Sequence, residues 1–252
     1  MITKSSSVKV KPKNPSNGKS KTKAASSVLN KEIAALLSLA SSASLLTFKA
    51  RKSQARLFEL VVLADLLNMY TANSNGGRIT VKNATSGELK LAGAPCSANK
   101  SAYSYFVLED ARGTPHHEVW VSLQFTTLSW ELNGMPQPPR SADRHEIDVG
   151  VFAPLPATAA SIYPSYENLQ AGVSCKHFSP SKEAVREALG LRRETALLSR
   201  LDNPSAVPWL MAERVPACPP SPLYLASSSP SVHAFTEPVD QLGLYMASTP
   251  FR

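Results

Sequence analysis

Two short segments of the chain place charged side chains within predicted buried strands. Residues 144–152 read RHEIDVGVF and residues 171–177 read AGVSCKH. Because side chains alternate across a strand, Ser174 and Lys176 are predicted to share one face of the second strand. If the two strands pair, the Asp148 carboxylate and the Lys176 ammonium meet on a largely apolar sheet. Such charges are costly to bury, and the arrangement is typical of a functional site.

The first segment carries a second carboxylate two residues before Asp148. The same alternation places Glu146 and Asp148 on one face of the strand. The opposite face is predicted to hold three apolar side chains, Ile147, Val149 and Val151.

A third candidate carboxylate lies in the strongest predicted helix. Residues 55–70, ARLFELVVLADLLNMY, are apolar nearly all round, which predicts a helix buried against a sheet. The acids Glu59 and Asp65 within it are therefore of interest. For Glu59 a simple ion pair with Arg56 on the same helix is the alternative to a role in a site.

The elements around these segments indicate an α/β fold. Helices are predicted for residues 29–48, 55–70 and 181–199, the last capped by Ser181. Strands are predicted for residues 78–82, 88–91, 103–109, 117–126, 144–152, 171–177, 223–226 and 242–246. This order favours a central mixed β-sheet with helices on its faces.

The order of residues resembles the PD-(D/E)xK nucleases, the restriction-endonuclease-like superfamily. A buried helix carries a Glu, a strand carries His145-Glu146-Ile147-Asp148-Val149, and the next strand ends in Ser174-Cys175-Lys176. A helix containing Leu189-Gly190-Leu191 follows. The resemblance covers about residues 50–200 and implies a restriction-endonuclease-like fold.

The resemblance also implies roles for the matching residues. Asp148 would ligate Mg²⁺, and Lys176 would orient or activate the attacking water and stabilise the pentavalent phosphate. Glu59 would support the metal or the water from the helix. Phosphodiester hydrolysis develops negative charge on the non-bridging oxygens, which a divalent ion and an ammonium stabilise.

One position departs from the family pattern, because Ser174 stands where the second metal-binding carboxylate is expected. Three explanations remain open: a neighbouring acid substitutes, the site is inactive and the fold serves in binding or assembly, or the resemblance is misleading. Glu146, on the strand of Asp148, is one candidate substitute. Glu183, Glu187 and Glu194 fall on one face of the predicted helix, and Glu187 is the preferred candidate.

The positive charge of the chain is concentrated at its start. The formal net charge is +8, and residues 1–23 hold seven lysines and no acid. A Lys- and Ser-rich segment of this kind, residues 1–28, is predicted to be a disordered basic arm. It suits contact with nucleic-acid phosphates through Lys9, Lys11, Lys13, Lys19, Lys21 and Lys23. A solubilising tail and an organelle transit peptide are the alternatives.

Cysteine content and hydropathy indicate the cellular compartment in which the chain is expected. Three cysteines without metal-binding spacing argue against a disulfide framework and favour the cytoplasm. No apolar run is long enough for a membrane span. The predicted organisation is an arm (1–28), a core (29–200) and a Pro-rich C-terminal extension (201–252) that can add strands to the core.

The function predicted from these features is Mg²⁺-dependent hydrolysis of nucleic-acid phosphodiesters, most simply as a DNA endonuclease, or DNA binding by a catalytically degraded relative. The alternative is a non-catalytic DNA-binding or protein-assembly module that uses the basic arm. A protein partner or a second copy of the chain stays open as a further partner. Mobile-element and host-defence contexts suit the family by analogy.

Overall fold

The computed structural model describes residues 47–48, 54–84, 88–157, 162–203, 207, 209–210 and 215–249. The predicted basic arm, with its six candidate lysines, and most of the predicted helix at 29–48 lie outside these residues. The helices are α1 (Gln54–Asn73), α2 (Leu128–Leu132), α3 (Lys182–Thr195) and α4 (Thr236–Val239). Short 3₁₀ helices span Ser141–Asp143, Tyr166–Asn168, Pro230–Phe235 and Asp240–Leu242.

The strands are β1 (Thr47–Phe48), β2 (Arg78–Lys82), β3 (Glu88–Leu89), β4 (Tyr105–Glu109), β5 (Pro115–Thr126), β6 (Arg144–Phe152), β7 (Leu169–Lys176), β8 (Leu197–Asn203), β9 (Val215–Cys218), β10 (Leu223–Ser227) and β11 (Leu244–Ser248). Seven of them form one sheet in the order β11-β10-β7-β6-β5-β4-β2. The strands β7, β10 and β11 are mutually parallel, whereas the neighbours from β7 to β2 are antiparallel. This mixed sheet with its helices confirms the predicted α/β class.

The helix α1 covers one face of the sheet, as its apolar composition predicts. Its buried side chains, from Leu57 to Tyr70, pack with apolar residues of the central strands to form the α1-side cluster. The strand members of this cluster include Val119, Val121, Val149, Val151, Ala171 and Val173. In the described part of the chain no helix, α1 included, combines the length and hydropathy that crossing a membrane requires.

The helix α3 covers the opposite face. Ser181 caps its start by accepting a hydrogen bond from the Ala184 amide (3.3 Å), as predicted. Val185 and Ala188 pack into a second apolar group, the α3-side cluster. The strand members of this cluster include Trp120, Leu123, Phe125, Ile147, Phe152, Leu223 and Leu225.

Two predicted helix ends are wrong, because tertiary pairing overrides local pattern there. The third helix ends at Thr195, four residues before its predicted end, because Ala196 is extended (φ −165°, ψ 148°). The chain continues into β8, which pairs with β9 in a separate two-stranded sheet. Likewise Thr47–Phe48, predicted as the end of a helix, form β1 and pair with β3.

Gly150, in the middle of β6, allows a close approach of two core side chains. A Cβ placed there would overlap the ring of Phe152 and lie 2.8 Å from Cγ2 of Ile147, and both side chains are fully buried. We therefore expect Gly150→Ala to lower the free energy of unfolding by about 1–3 kcal/mol in urea denaturation.

Gly190→Ala is the matched control. Apart from the adjacent residues and the backbone of α3 itself, no atom lies within 4 Å of a Cβ at this position, so the change should stabilise the helix by about 0.5–1 kcal/mol. Equal effects at the two positions would contradict the packing of Ile147 and Phe152 around Gly150.

Candidate functional site

A polar cleft opens where β6 and β7 meet α3. Its volume is about 580 Å³. The charged and hydroxyl side chains that line it come from both strands and from the helix, and they include Glu146, Asp148, Ser174, Lys176, Glu187 and Arg193. The structure therefore brings the two opening segments together with the helix that carries the candidate replacement carboxylate.

Asp148 lies where β6 and β7 separate. The last paired residues at this end of the two strands are Val149 and Val173. Beyond them the Cys175 N–H donates to Asp148 Oδ2 (2.6 Å), so a carboxylate takes the place of a ladder carbonyl. The hydrogen bond fixes the carboxylate and satisfies an amide that the departing strand leaves behind.

Burial dominates the electrostatics of Asp148. It raises the pKa of this carboxyl above its ordinary value, because the charged form loses hydration. The Cys175 amide and the Lys176 ammonium lower the same pKa, and the nearby Glu187 raises it. The ionised form of Asp148 is therefore destabilised by burial, and any further cation in the cleft would stabilise it.

Lys176 and Glu187 form an ion pair across the cleft. The Lys176 Nζ lies 3.0 Å from Glu187 Oε2, and the Glu187 side chain is 67% exposed. A pair with one side so exposed contributes little to stability and exchanges readily with solvent. The pair therefore leaves Lys176 and Glu187 available to other ligands.

Only some of the three glutamates of α3 lie on the side of the helix that faces the cleft. Glu187 and Glu194 line the cleft, and Glu194 also accepts hydrogen bonds from the amide (3.0 Å) and hydroxyl (2.7 Å) of Ser129. Glu183 lies outside the lining, and the Ser181 hydroxyl lowers its pKa. Among these three, Glu187 is the one that forms an ion pair with Lys176.

Glu59 reaches the same region from the other face of the sheet. It pairs with Arg56, the alternative predicted from the sequence, and its carboxyl is also close enough to Asp148 and Glu146 to feel their charges. Burial raises the pKa of Glu59 to about 7, with Asp148 and Glu146 adding to the shift and Arg56 opposing it. Burial also raises the pKa of Glu146, and so does the charge of Asp148.

Beside Asp148, the alternation of side chains between the two faces of the sheet is interrupted in the neighbouring strands β5 and β6. We call this interruption a face exchange, and strict alternation does not predict it. Ile147 packs in the α3-side cluster, whereas Val149 packs in the α1-side cluster, so these two do not share a face as predicted. The same exchange occurs in β5 between Val121 and Leu123. The residue between them, Ser122, is buried and left-handed (φ 51°), a conformation that costs a non-glycine residue roughly 1–2 kcal/mol.

Arg56 and Ser122 are the residues of this region whose importance the sequence did not reveal. The signal available was a lone arginine at the start of an apolar helix, one turn before Glu59. Nothing in the alternating pattern of β5 marks Ser122, because a left-handed residue inside a strand is a product of its tertiary contacts.

The donor chemistry of the cleft suits a hard cation such as Mg²⁺. Within the described residues, no three His, Cys, Asp or Glu side chains are grouped so as to enclose a metal by themselves. Mg²⁺ is commonly held by one or two carboxylates, with waters and substrate phosphates completing its shell. Asp148, joined by Glu146 or Glu187, meets that requirement, whereas the Ser174 hydroxyl is a neutral, weak ligand.

Formal charge supports the same fit. Within the described residues, the carboxylates in and behind the cleft outnumber the lysine and arginine cations five to three: Glu59, Glu146, Asp148, Glu187 and Glu194 against Arg56, Lys176 and Arg193. When all are ionised, two negative charges are left uncompensated, which is the charge that one divalent cation neutralises.

Comparisons of the chain with protein-family models, with curated protein sequences and with solved structures found no match.

Proposed function

We propose that the cleft is the active site of a divalent-cation-dependent nuclease of the restriction-endonuclease-like type, acting on DNA. The observation that carries the proposal is the Asp148 carboxylate, anchored on the Cys175 amide and facing the Lys176–Glu187 pair in one open cleft. The order of elements supports it. The helix with Glu59, the strand with Asp148, the strand with Lys176 and the helix with Glu187 follow one another as the resemblance implies.

Mg²⁺ is the cofactor that fits this proposal, with Asp148 and Glu187 as its ligands and Glu146 as the further candidate. When bound, it would supply a positive charge to the non-bridging oxygens of the phosphate. Glu187 takes the role of the carboxylate that Ser174 lacks, reaching the cleft from α3 instead of from β7.

The remaining charged residues provide the other functions that hydrolysis needs. The Lys176 ammonium, 19% exposed, can contact a phosphate oxygen and stabilise its growing negative charge. Glu59 lies behind Asp148, paired with Arg56, and the resemblance assigns it a supporting role toward the metal or the water from the helix. Both roles are proposed from the positions that Lys176 and Glu59 occupy in this chain.

A second candidate function is DNA binding or protein assembly without catalysis. The observation that favours it is Ser174, a neutral, buried side chain on the cleft wall, together with a Glu187 that already pairs with Lys176. In that case the cleft would hold a phosphate or partner through Lys176 and Arg193 but would not cut. The lysines of residues 9–23 would add sequence-independent affinity.

Glutamate replacements on α3 test the proposal. With purified full-length chain, Mg²⁺ or Mn²⁺ and labelled single- or double-stranded DNA, we expect cleavage that Glu187→Gln reduces about 10- to 100-fold, because one metal ligand is neutralised. The parallel RNA substrates establish the nucleic-acid class.

Glu183→Gln is the matched control, since this residue lies on the same helix outside the cleft. It should cut at the wild-type rate. Cation-independent binding without cleavage by the wild type would reject the nuclease and favour the binding module. Equal losses in the two variants would reject Glu187 as the replacement ligand.

A further inference from the structure

A buried guanidinium connects the carboxylates behind the cleft. Arg56 is 8% exposed, and its Nη1 donates to Glu59 and to the Ser122 hydroxyl (2.8 Å). Its Nη2 donates to the carbonyl of Ala92. One side chain thus joins α1, the segment before β4 and the middle of β5.

Ser122 extends this connection to β6. Its hydroxyl, which accepts from Arg56, also hydrogen-bonds the Glu146 carboxylate. A hydroxyl can accept one hydrogen bond and donate another, so a continuous chain runs from Arg56 through Ser122 to Glu146. Two carboxylates close to Asp148, Glu59 and Glu146, are therefore tied to a single cation.

The left-handed backbone of Ser122 is part of the same arrangement. Its carbonyl accepts from the Cys96 amide (2.9 Å), and the Cys96 carbonyl accepts from the Gln124 amide (2.8 Å). These bonds hold β5 at the point where it exchanges faces, next to the exchange in β6 at Asp148. A strained conformation that persists at such a place requires support from its surroundings.

We propose that Arg56 and Ser122 are positioning residues for the cation site. The guanidinium fork and the serine hydroxyl orient Glu59 and Glu146 and keep the strand exchange that turns Asp148 into the cleft. The inference rests on the proposed function, because the site that they position is the cation site of the proposed nuclease. A lysine cannot replace Arg56, since an ammonium lacks the planar fork that reaches three acceptors from one buried position.

The test measures Mn²⁺ binding by isothermal titration calorimetry, and stability in urea, for wild type and variants of the full chain. We expect Arg56→Lys to weaken Mn²⁺ binding about tenfold or more, the loss typical for a partner that orients metal ligands. Ser122→Gly keeps the left-handed backbone without the hydroxyl, and should weaken binding while its urea midpoint stays near that of wild type. A purely structural role would change the urea midpoint and leave the affinity unchanged.

Arg192→Lys is the matched control for removing a buried guanidinium. Arg192 is 2% exposed and bonds the carbonyls of Leu242 and Ser221, away from the carboxylates of the cleft. We expect this variant to lose stability and retain the wild-type Mn²⁺ affinity.

Two outcomes would overturn the inference, and they are distinguishable. If wild type binds Mn²⁺ through Asp148 but Arg56→Lys and Ser122→Gly bind equally tightly, the positioning role is wrong and the proposed nuclease stands. If wild type does not bind Mn²⁺, or if Asp148→Asn binds as well as wild type, the cation site and the positioning role both fail.

Discussion

Replacing Asp148 by asparagine should reduce Mg²⁺-dependent cleavage by about a thousandfold or more and abolish Mn²⁺ binding, while leaving the fold at least as stable as wild type. The loss follows because the carboxylate that the Cys175 amide anchors in the cleft no longer attracts the cation, which removes the contribution of the cation to transition-state stabilisation. Asparagine keeps an oxygen that can accept from the Cys175 amide. The charge whose burial raises the pKa of Asp148 disappears, so the free energy of unfolding should not fall.

Asp65→Asn is the control for this prediction. Asp65 lies in α1, its pKa is also raised by burial, and its carboxyl bonds Thr249 instead of lining the cleft. It should leave cleavage and Mn²⁺ affinity unchanged. If Asp148→Asn cuts as fast as wild type, Asp148 is not the metal ligand. If Asp148→Asn fails to fold, the account of Asp148 as a costly buried charge is wrong.

The cation-free protein should lose stability as the pH rises from about 4.5 to about 7, and Glu59 should account for about 3 kcal/mol of that loss. Its pKa moves from 4.5 to about 7 on folding. Between these values the folded state holds a proton that the unfolded state has released, so the free energy of unfolding falls with pH and levels off above about 7. Glu59→Gln mimics the protonated acid, keeps an acceptor for Arg56, and should be more stable than wild type at pH 8 by this amount.

Urea denaturation across pH 4 to 9, with and without Mg²⁺, measures the effect. Bound Mg²⁺ favours the ionised carboxylates, so it should restore the stability of wild type at pH 8 more than that of Glu59→Gln. Glu237→Gln, at an exposed position outside the cleft, is the control and should follow the wild-type curve. A wild-type curve that rises with pH over this interval would show that Glu59 is not buried in its neutral form.

Much of the fold is predictable because its central elements have strong local patterns. The apolar residues of α1 and the alternating segments of β6 predict both elements within a few residues of their observed bounds. By contrast, the sequence does not predict β8 and β9, since these segments are polar or Pro-containing and pairing with each other decides their conformation. For the same reason α3 ends at Thr195, before the end that its sequence predicts.

In the candidate site, too, some residues are placed by local sequence patterns and others only by tertiary packing. Asp148 and Lys176 lie on strands that are neighbours in the chain and pair in the sheet, so local sequence was enough to bring them together. Which glutamates of α3 enter the cleft depends on how the helix is rotated against the sheet, and the structure places Glu187 and Glu194 there and leaves Glu183 outside. The proximity of Glu59 to Asp148 depends on where the start of α1 crosses the far face of the sheet.

By itself the sequence determined the α/β class, the buried helix, and the two central strands with a carboxylate and an ammonium at their ends, because these follow from hydrophobic period and residue type over a few turns or pairs. Only the tertiary structure decided that Ser122 is left-handed, that β5 and β6 exchange faces at Asp148, and that Arg56 links Glu59 to Glu146. The physical reason is that these features depend on interactions between residues up to 90 positions apart in the chain, such as Arg56 and Glu146, which Ser122 links. The energy of a strained residue or a buried charge is set by such partners, not by its sequence neighbours.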